Sequence, residues 1–225
     1  IIIKDNSMVR QKVKRWFGLS EKTKIIVYAP TYRGEFEDNG RLNMSAYDIN
    51  LDKVVLMFEK KWNVHCVALV RWHPNMNNAI NSKKNQYGKN VIDASCYPEM
   101  QEIICASDAF ISDYSSCLFE AALRKIPCFI YANDYSDYMG DRGAYFALNE
   151  LPFPYATNNR EMMEVIMKYD REYYLKKWEI FRTEMGLFEK GTASIQIAQM
   201  INEFIIKNRS IGIKHNEMKT YIDGF

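Results

Sequence analysis

Short apolar runs alternate along the chain with segments in which apolar residues recur every three or four positions. Residues 24–29 (KIIVYA) form a β-branched run that stops at Pro30, which is typical of a buried strand. Similar runs predict strands over residues 64–70, 91–92, 109–112 and 127–131. Helical spacing predicts helices over residues 8–17 (ended by Gly18), 51–62, 98–106, 115–124, 160–168, 171–185 and 192–207. Long loops are expected over residues 34–50 and 133–159.

Strands that alternate with helices predict a parallel sheet with helices on both faces. About five strands fit one Rossmann-like α/β domain with extra C-terminal helices. We expect an N-terminal linker helix over residues 1–23, the Rossmann-like domain over 24–207, and a polar, frayed tail over 208–225. Because the chain starts at Ile1 and no signal-peptide core follows, we expect it to be a piece of a longer polypeptide.

Composition narrows the class of protein. Apolar residues make up 48% of the 225 residues and aromatic residues 14%, so the chain can bury a core and is not disordered. Lys and Arg number 30 against 28 Asp and Glu, which argues against a nucleic-acid partner. The locally basic stretch 4–15 is read as a solvated helix face, with contact to an anionic lipid or polymer as the alternative.

Cofactor and metal chemistry is not expected. There is no GxGxxG and no GxxxxGK[ST] motif, which disfavours NAD-dependent and P-loop chemistry. The five cysteines form no CxxC pair, and the three histidines are not at ligand spacing, so no protein-built metal site is predicted.

In open parallel sheets a ligand binds at the carboxyl ends of the strands, so the residues there are the candidates. Asp113, Ser115 and Ser116 lie between a predicted strand and a predicted helix, and Glu120 lies one turn further on. One interpretation is a simple helix cap. The other is an anion site of free N–H groups and hydroxyls suited to phosphate, with Glu120 accepting hydrogen bonds from a ribose.

Three other strand ends carry candidates. His73 follows a strand and precedes Pro74, where it can stabilise developing phosphate charge or move a proton, although a structural role is equally open. Thr31 and Arg33 follow the first strand, and Arg33 can bind phosphate through its forked guanidinium. Arg142 precedes Gly143 in the long loop after residue 131.

These motifs occur in an order that resembles the CDP-glycerol glycerophosphotransferase family, which includes teichoic acid and capsule polymer transferases. The resemblance spans residues 24–207 and rests on the segments 28–33, 73–74, 112–116, 119–120, 142–143 and 191–194. It implies the C-terminal, donor-binding half of a GT-B fold. The implied reaction moves glycerol phosphate from CDP-glycerol, or ribitol phosphate from a related CDP-polyol, to the hydroxyl end of a lipid-linked or growing polymer and releases CMP.

The resemblance also implies roles for residues. Ser115 and Ser116 would hold the diphosphate and Glu120 the ribose, and His73 would be the catalytic residue. The phosphate pocket would be lined by Thr31, Arg33 and Arg142, and Asp113 would be a further substrate-binding residue. The implied partners are the donor, the acceptor and a missing N-terminal domain, and the implied location is the cytoplasm at the inner face of the membrane.

The chain departs from the family pattern in three respects. The Trp-His-Gly motif of the N-terminal domain is absent, so this chain alone is expected to be inactive. Tyr32 stands where tryptophan is frequent, and residues 151–155 (LPFPY) lack the glycine that usually separates the prolines. Two alternatives remain open: the nucleotide-sugar-binding half of a GT-B glycosyltransferase, and a nucleotide-binding or docking module without chemistry.

Overall fold

The structure is a computed structural model that describes residues 7–33, 45–76 and 87–210. Six strands form one parallel sheet in the order β3-β2-β1-β4-β5-β6. The strands are β1 (Lys24–Tyr28), β2 (Cys66–Val70), β3 (Val91–Asp93), β4 (Ala109–Ser112), β5 (Cys128–Tyr131) and β6 (Tyr155–Ala156). The predicted α/β class is therefore confirmed, with one strand more than the sequence indicated.

Eight helices are described. They are α1 (Ser7–Trp16), α2 (Leu51–Trp62), α3 (Met100–Ala106), α4 (Cys117–Leu123), α5 (Tyr135–Asp141), α6 (Asn159–Lys168), α7 (Arg171–Glu184) and α8 (Ala193–Ser210). Short 3₁₀ turns cover Ser45–Tyr47 and Pro74–Met76. Residues 34–44 of the predicted 34–50 loop lie outside the described residues, as does the tail beyond residue 210.

Each face of the sheet buries its own apolar layer. One layer receives Val54 and Phe58 from α2 and Met162 from α6. The other receives residues from α1, α3, α4 and α7, among them Val13 and Trp178. The central strand β1 has Ile25, Ile26 and Val27 fully buried, as its unbroken apolar sequence requires when helices cover both faces.

The prediction of an unbroken loop over residues 133–159 was wrong. The structure places α5 and the edge strand β6 there. Helix α5 (YSDYMGD) has no buried residue and no apolar stripe, so its sequence carries no helical periodicity. Strand β6 has only two residues, too few for a recognisable alternation.

Residues 1–187 and 188–225 form two compact units. Helix α1 belongs to the first unit, where Arg10 pairs with Asp108 at 2.6 Å and Lys12 with Glu102 at 2.8 Å. The predicted domain bounds at residues 23 and 207 stay a prediction. In the second unit, α8 extends over 18 residues.

Candidate functional site at the switch point of the sheet

Strands β1 and β4 lie side by side at the centre of the sheet, where the strand order reverses direction. The next strand after β1 lies on one side and the strand after β4 on the other, which opens a crevice at their carboxyl ends. The two ends are joined by hydrogen bonds: Thr31 donates its backbone N–H to Asp113 Oδ1 at 2.9 Å and its hydroxyl to the same oxygen at 2.6 Å. Two of the predicted site residues therefore meet where a doubly wound sheet binds its ligand.

Arg33 lies in this crevice between two carboxylates. Its Nη2 is 2.8 Å from Asp113 Oδ2 and its Nε is 2.6 Å from Asp134 Oδ2, and all three side chains are largely buried. Burial alone would lower the pKa of Arg33, but the carboxylates of Asp113 and Asp134 outweigh it and raise the pKa above its ordinary value. The guanidinium is therefore permanently charged and already neutralised by the protein.

Aromatic rings enclose the same guanidinium. The Arg33 Cζ atom is 5.0 Å from the centroid of Tyr114 and 5.4 Å from those of Tyr47 and Tyr138. Tyr114 stacks on Tyr138 with centroids 3.6 Å apart and donates its hydroxyl to Asp134 at 3.0 Å. Burial raises the pKa of Tyr47 to about 12, so its hydroxyl stays protonated.

Arg142 holds the backbone of the same segment. Its Nη1 donates to the carbonyl of Tyr32 at 3.1 Å, its Nη2 donates to the carbonyl of Arg33, and its Nε pairs with Asp141 at 3.2 Å. Gly143 follows with φ of 70°, a conformation that glycine adopts without the steric cost of a Cβ. Arg142 thus ties the end of α5 to the segment after β1.

Four of the predicted substrate-binding residues are therefore brought together, but their polar groups bind the protein itself. Thr31, Arg33, Asp113 and Arg142 form what we call the strand-end frame. Direct contact of these four side chains with phosphate remains a prediction.

Ser115 and Ser116 lie in the turn from β4 into α4, on the rim of the crevice. The backbone N–H groups of Cys117, Leu118 and Phe119 are bonded to Ser115 Oγ, Ser115 O and Ser116 O at 3.4, 3.2 and 3.0 Å. The first turn of α4 therefore does not offer the free N–H groups that the sequence suggested. Within the described part of the chain, the backbone N–H groups of Ser115 and Ser116 and the Ser116 hydroxyl have no partner.

Glu120 lies one turn into α4 and is half-buried. Among the described residues its carboxylate has no hydrogen-bond or ion-pair partner. Cys117, beside it, contacts Ser115 Oγ through its thiol at 2.9 Å, and burial raises the pKa of this thiol to about 11. The Cys117 thiol is therefore neutral at physiological pH.

His73 is exposed just beyond the end of β2. Its ring stacks on Tyr32, with centroids 5.3 Å apart and planes 18° from parallel. Its Nδ1 accepts the backbone N–H of Asn75 at 3.2 Å. In the neutral imidazole this places the proton on Nε2, so this second ring nitrogen is a hydrogen-bond donor.

Sequence reasoning missed Asp134, Tyr114 and Tyr138. Asp134 and Tyr138 lie in the segment expected to be an unbroken loop, and Tyr114 was noted only as part of a motif. No local pattern marks an aspartate that will meet an arginine from another strand. The enclosing tyrosines could have been suspected only from the number of aromatic residues near the strand ends.

The cavity beside β1 and β2 is not lined by any of the predicted site residues. It has a volume of about 220 Å³ and lies beside β1 and β2. Its lining consists of Tyr28, Tyr47, Asp48, Ile49, Asn50, Leu51, Asp52, Trp72 and Tyr87. The candidate site is thus the crevice above the strand ends rather than this cavity.

The sheet order and the polar crevice at its switch point define a doubly wound α/β domain of the kind that binds nucleotides. The chain belongs to the CDP-glycerol:poly(glycerophosphate) glycerophosphotransferase family, whose model matches residues 2–203.

Curated relatives agree with this assignment. A teichoic acid poly(glycerol phosphate) polymerase of Staphylococcus epidermidis is 30% identical over 199 residues, which are 86% of this chain and 27% of the relative. A teichoic acid glycerol-phosphate transferase of Staphylococcus aureus is 28% identical over 84% of this chain and 48% of its own length. The chain thus spans between a quarter and a half of these relatives.

A solved structure shows the same fold. The wall teichoic acid polymerase TagF superimposes with a TM-score of 0.72 at 28% identity, covering 91% of this chain and 49% of TagF. A TagF variant soaked with CDPG superimposes with a TM-score of 0.71. In the described part of this chain, no helix is long and apolar enough to cross a membrane.

Proposed function

We propose that this chain is the donor-binding half of a GT-B polyol-phosphate transferase. It binds CDP-glycerol, or a related CDP-polyol, and delivers glycerol phosphate to the hydroxyl end of a lipid-linked or growing teichoic acid or capsule polymer, with release of CMP. The observation that carries the proposal is the crevice at the switch point, where Ser115, Ser116 and Glu120 leave polar groups unpaired in a member of this family.

The diphosphate binds at the turn from β4 into α4. The unpaired N–H groups of Ser115 and Ser116 and the Ser116 hydroxyl donate to its oxygens. The Glu120 carboxylate, four residues further along α4, accepts hydrogen bonds from the ribose hydroxyls. This arrangement places hydrogen-bond donors beside the diphosphate and a hydrogen-bond acceptor beside the ribose.

The strand-end frame positions this turn. Asp113 accepts the backbone N–H of Tyr114 at 2.7 Å, and it also accepts the backbone N–H and the hydroxyl of Thr31. The residues that precede Ser115 are therefore held to the segment that follows β1. Arg33 supplies the positive charge that pairs with the buried carboxylate of Asp113. The frame therefore acts by preorganising the phosphate-binding turn.

His73 acts on the phosphate under attack as a hydrogen-bond donor. Because Nδ1 already accepts the Asn75 N–H, the neutral ring carries its proton on Nε2, and this N–H can donate to a phosphate oxygen as charge develops. In the reaction, the acceptor hydroxyl oxygen forms a bond to the glycerol-bearing phosphorus, and the bond from that phosphorus to the CMP oxygen breaks. The CMP oxygen keeps the electron pair, and the hydroxyl proton passes to a base outside this chain.

The base and the acceptor site are assigned to a second domain, because the chain spans only part of its relatives. A lipid-linked acceptor would bring the assembled enzyme to the inner face of the cell membrane. The chain alone would bind donor but turn over slowly, since transfer requires both substrates to be held in line.

The test is a transfer assay on the encoded protein that carries this chain, with a glycerol phosphate oligomer as acceptor. CDP-glycerol, CDP-ribitol and UDP-glucose are compared as donors, and nucleotide release is measured. Release of CMP from one CDP-polyol with elongation of the acceptor supports the proposal. Release of UDP with transfer of glucose contradicts it and favours a glycosyltransferase.

A further inference from the structure

A second pocket, with a volume of about 580 Å³, lies at the edge of the sheet opposite the crevice. Lys24 begins β1, and Asp108 and Pro127 directly precede β4 and β5, so these lining residues mark the amino ends of the central strands. We call it the amino-edge pocket. The other residues that line it are Lys61, Trp62, Val64, Lys125, Ile126, Tyr169 and Arg171.

The amino-edge pocket is separate from the proposed donor site. Thr31 and Asp113 follow the carboxyl ends of β1 and β4, whereas Lys24 and Asp108 lie at the amino ends of the same two strands. At a rise of about 3.3 Å per residue, the length of β1 places the two edges about 15 Å apart. A ligand in this pocket therefore uses none of the groups assigned to the donor.

Positive charge dominates the lining of the pocket. Its cationic side chains are those of Lys24, Lys61, Lys125 and Arg171. Its one carboxylate, that of Asp108, is already paired with Lys24 at 2.8 Å and with Arg10 at 2.6 Å. The pocket therefore holds a local excess of positive charge in a chain whose net charge is only +2.

Three of these cations are not neutralised by a close carboxylate. Arg171 has no hydrogen-bond or ion-pair partner among the residues that the structure describes. Lys61 donates its Nζ to the uncharged carbonyl of Met167 at 2.8 Å. Lys125 Nζ is 3.6 Å from the carboxylate of Glu179, which is beyond hydrogen-bond distance. The charges of Arg171, Lys61 and Lys125 thus remain available to an anion.

The arrangement of these cations fits an anion that carries several charges. They come from different elements, since Lys61 lies at the end of α2, Lys125 follows α4 and Arg171 begins α7. A chain with a negative charge on each repeat can contact several of them at once, which a single phosphate cannot. The pocket is concave, so a flat bilayer surface would fit its lining less well than a flexible chain would.

We propose that the amino-edge pocket binds interior phosphodiesters of the polyol phosphate polymer that the enzyme extends. This inference rests on the proposed function, because that function makes the product a polyanion. The growing end of the polymer is assigned to the second domain, so the pocket holds repeats that were added earlier. Binding them keeps the end of the polymer at a high effective concentration and favours repeated extension of the same chain.

The test measures binding of a fluorescent glycerol phosphate oligomer to this chain by anisotropy, with glycerol 3-phosphate as the monomeric control ligand. The main variant combines Lys61→Gln with Arg171→Gln. Arg171→Gln alone serves if the double variant does not fold, because Arg171 is exposed. The matched control combines Arg160→Gln with Lys176→Gln, which removes the same charge from exposed positions outside the pocket.

For the double variant we expect oligomer binding to weaken about tenfold, as for the loss of two partly exposed ion pairs. Arg171→Gln alone should weaken it about threefold. The matched control should bind the oligomer as the wild type does, and glycerol 3-phosphate should bind far more weakly than the oligomer. Calorimetry should give the same affinity for CDP-glycerol in all variants, because the donor site lies at the other edge of the sheet.

Equal oligomer affinities of the wild type and the double variant would overturn the inference. Normal binding of CDP-glycerol would then leave the proposed function standing. Equal losses in the double variant and the matched control would also overturn the inference, because net charge alone would explain them. If the wild-type chain binds the oligomer but not CDP-glycerol, the proposed function fails, and the assignment of the polymer as its product fails with it.

A second arm uses vesicles of phosphatidylglycerol and phosphatidylcholine, which present the same phosphodiester chemistry on a lipid surface. We expect the double variant and the wild type to bind these vesicles equally. Loss of vesicle binding in the double variant, with oligomer binding unchanged, would overturn the inference and assign the pocket to a membrane.

Discussion

Arg33 and Asp113 form a buried ion pair across the switch point of the sheet, with Arg33 Nη2 2.8 Å from Asp113 Oδ2. Asp134 pairs with Arg33 from the other side at 2.6 Å, and Thr31 bonds to Asp113. Two strand ends and the start of α5 are thus held by one charged cluster. This cluster explains why the residues that most resemble phosphate ligands in the sequence contact each other in the structure.

Replacing Arg33 by Gln should destabilise the fold. The change leaves the carboxylates of Asp113 and Asp134 buried without their counter-charge, so we expect the free energy of unfolding to fall by about 3–5 kcal/mol. Urea unfolding of the chain measures this difference. Arg160→Gln, an exposed substitution, should change stability by no more than about 0.5 kcal/mol. Equal unfolding midpoints for the two variants would show that the Arg33 cluster is not structural.

Replacing His73 by Gln should remove transfer activity but leave folding intact. The imidazole is exposed and its contacts are the Tyr32 ring and the Asn75 N–H, so little packing is lost. The assay is CMP release by the encoded protein that carries this chain, with thermal unfolding as the check on folding. A variant that folds normally and transfers at a near-normal rate would remove His73 from the mechanism.

Tyr32 should act as a positioning residue for His73. Its ring lies parallel to the imidazole at 5.3 Å, so Tyr32→Leu should lower the rate of transfer more than it weakens donor binding. Tyr32→Trp preserves a flat surface and should restore most of the rate. If Leu and Trp at this position give the same rate, stacking on His73 has no functional role.

Replacing Ser115 and Ser116 together by Ala should weaken donor binding without loss of the fold. The Ser116 hydroxyl has no partner among the described residues and is free to donate to phosphate. We expect a loss of about 1.5–3 kcal/mol, since the change removes the one hydroxyl hydrogen bond to charge and keeps the two backbone N–H donors. Calorimetry with CDP-glycerol measures it, and unchanged affinity would place the diphosphate elsewhere.

Stability should depend on pH through Glu102. Its carboxylate accepts Lys12 Nζ at 2.8 Å and the Tyr97 hydroxyl, and these bonds lower the pKa of Glu102 below its ordinary value. A carboxylate with a lowered native pKa stabilises the fold above the unfolded pKa, and this contribution is lost as pH falls through the native pKa. Glu102→Gln should therefore be less stable than wild type at pH 7, and the difference should shrink in acid. A difference that is constant with pH would contradict this.

The sheet could be predicted because its signal is local. Residues 24–29 are an uninterrupted apolar run ended by proline, and the central strand appears there as β1. Helix α2 was equally visible, since Val54, Val55 and Phe58 repeat at helical spacing and all are buried. Both features depend on burial patterns that one segment carries by itself.

The candidate site was predictable only in part. The strand ends could be located, and Thr31, Asp113 and Arg33 do meet there. The pairing of each charge could not be predicted, because the partners come from distant segments. Asp134, which pairs with Arg33, lies in a segment whose sequence shows neither helical nor strand periodicity.

The central claim, that this chain holds a cytidine donor site, is tested most directly by calorimetric titration of the wild-type chain with CDP-glycerol, CMP and UDP-glucose. The account predicts saturable binding of CDP-glycerol and of CMP, with UDP-glucose much weaker. Binding of UDP-glucose in preference to both cytidine ligands, or no binding of any of the three, would contradict it.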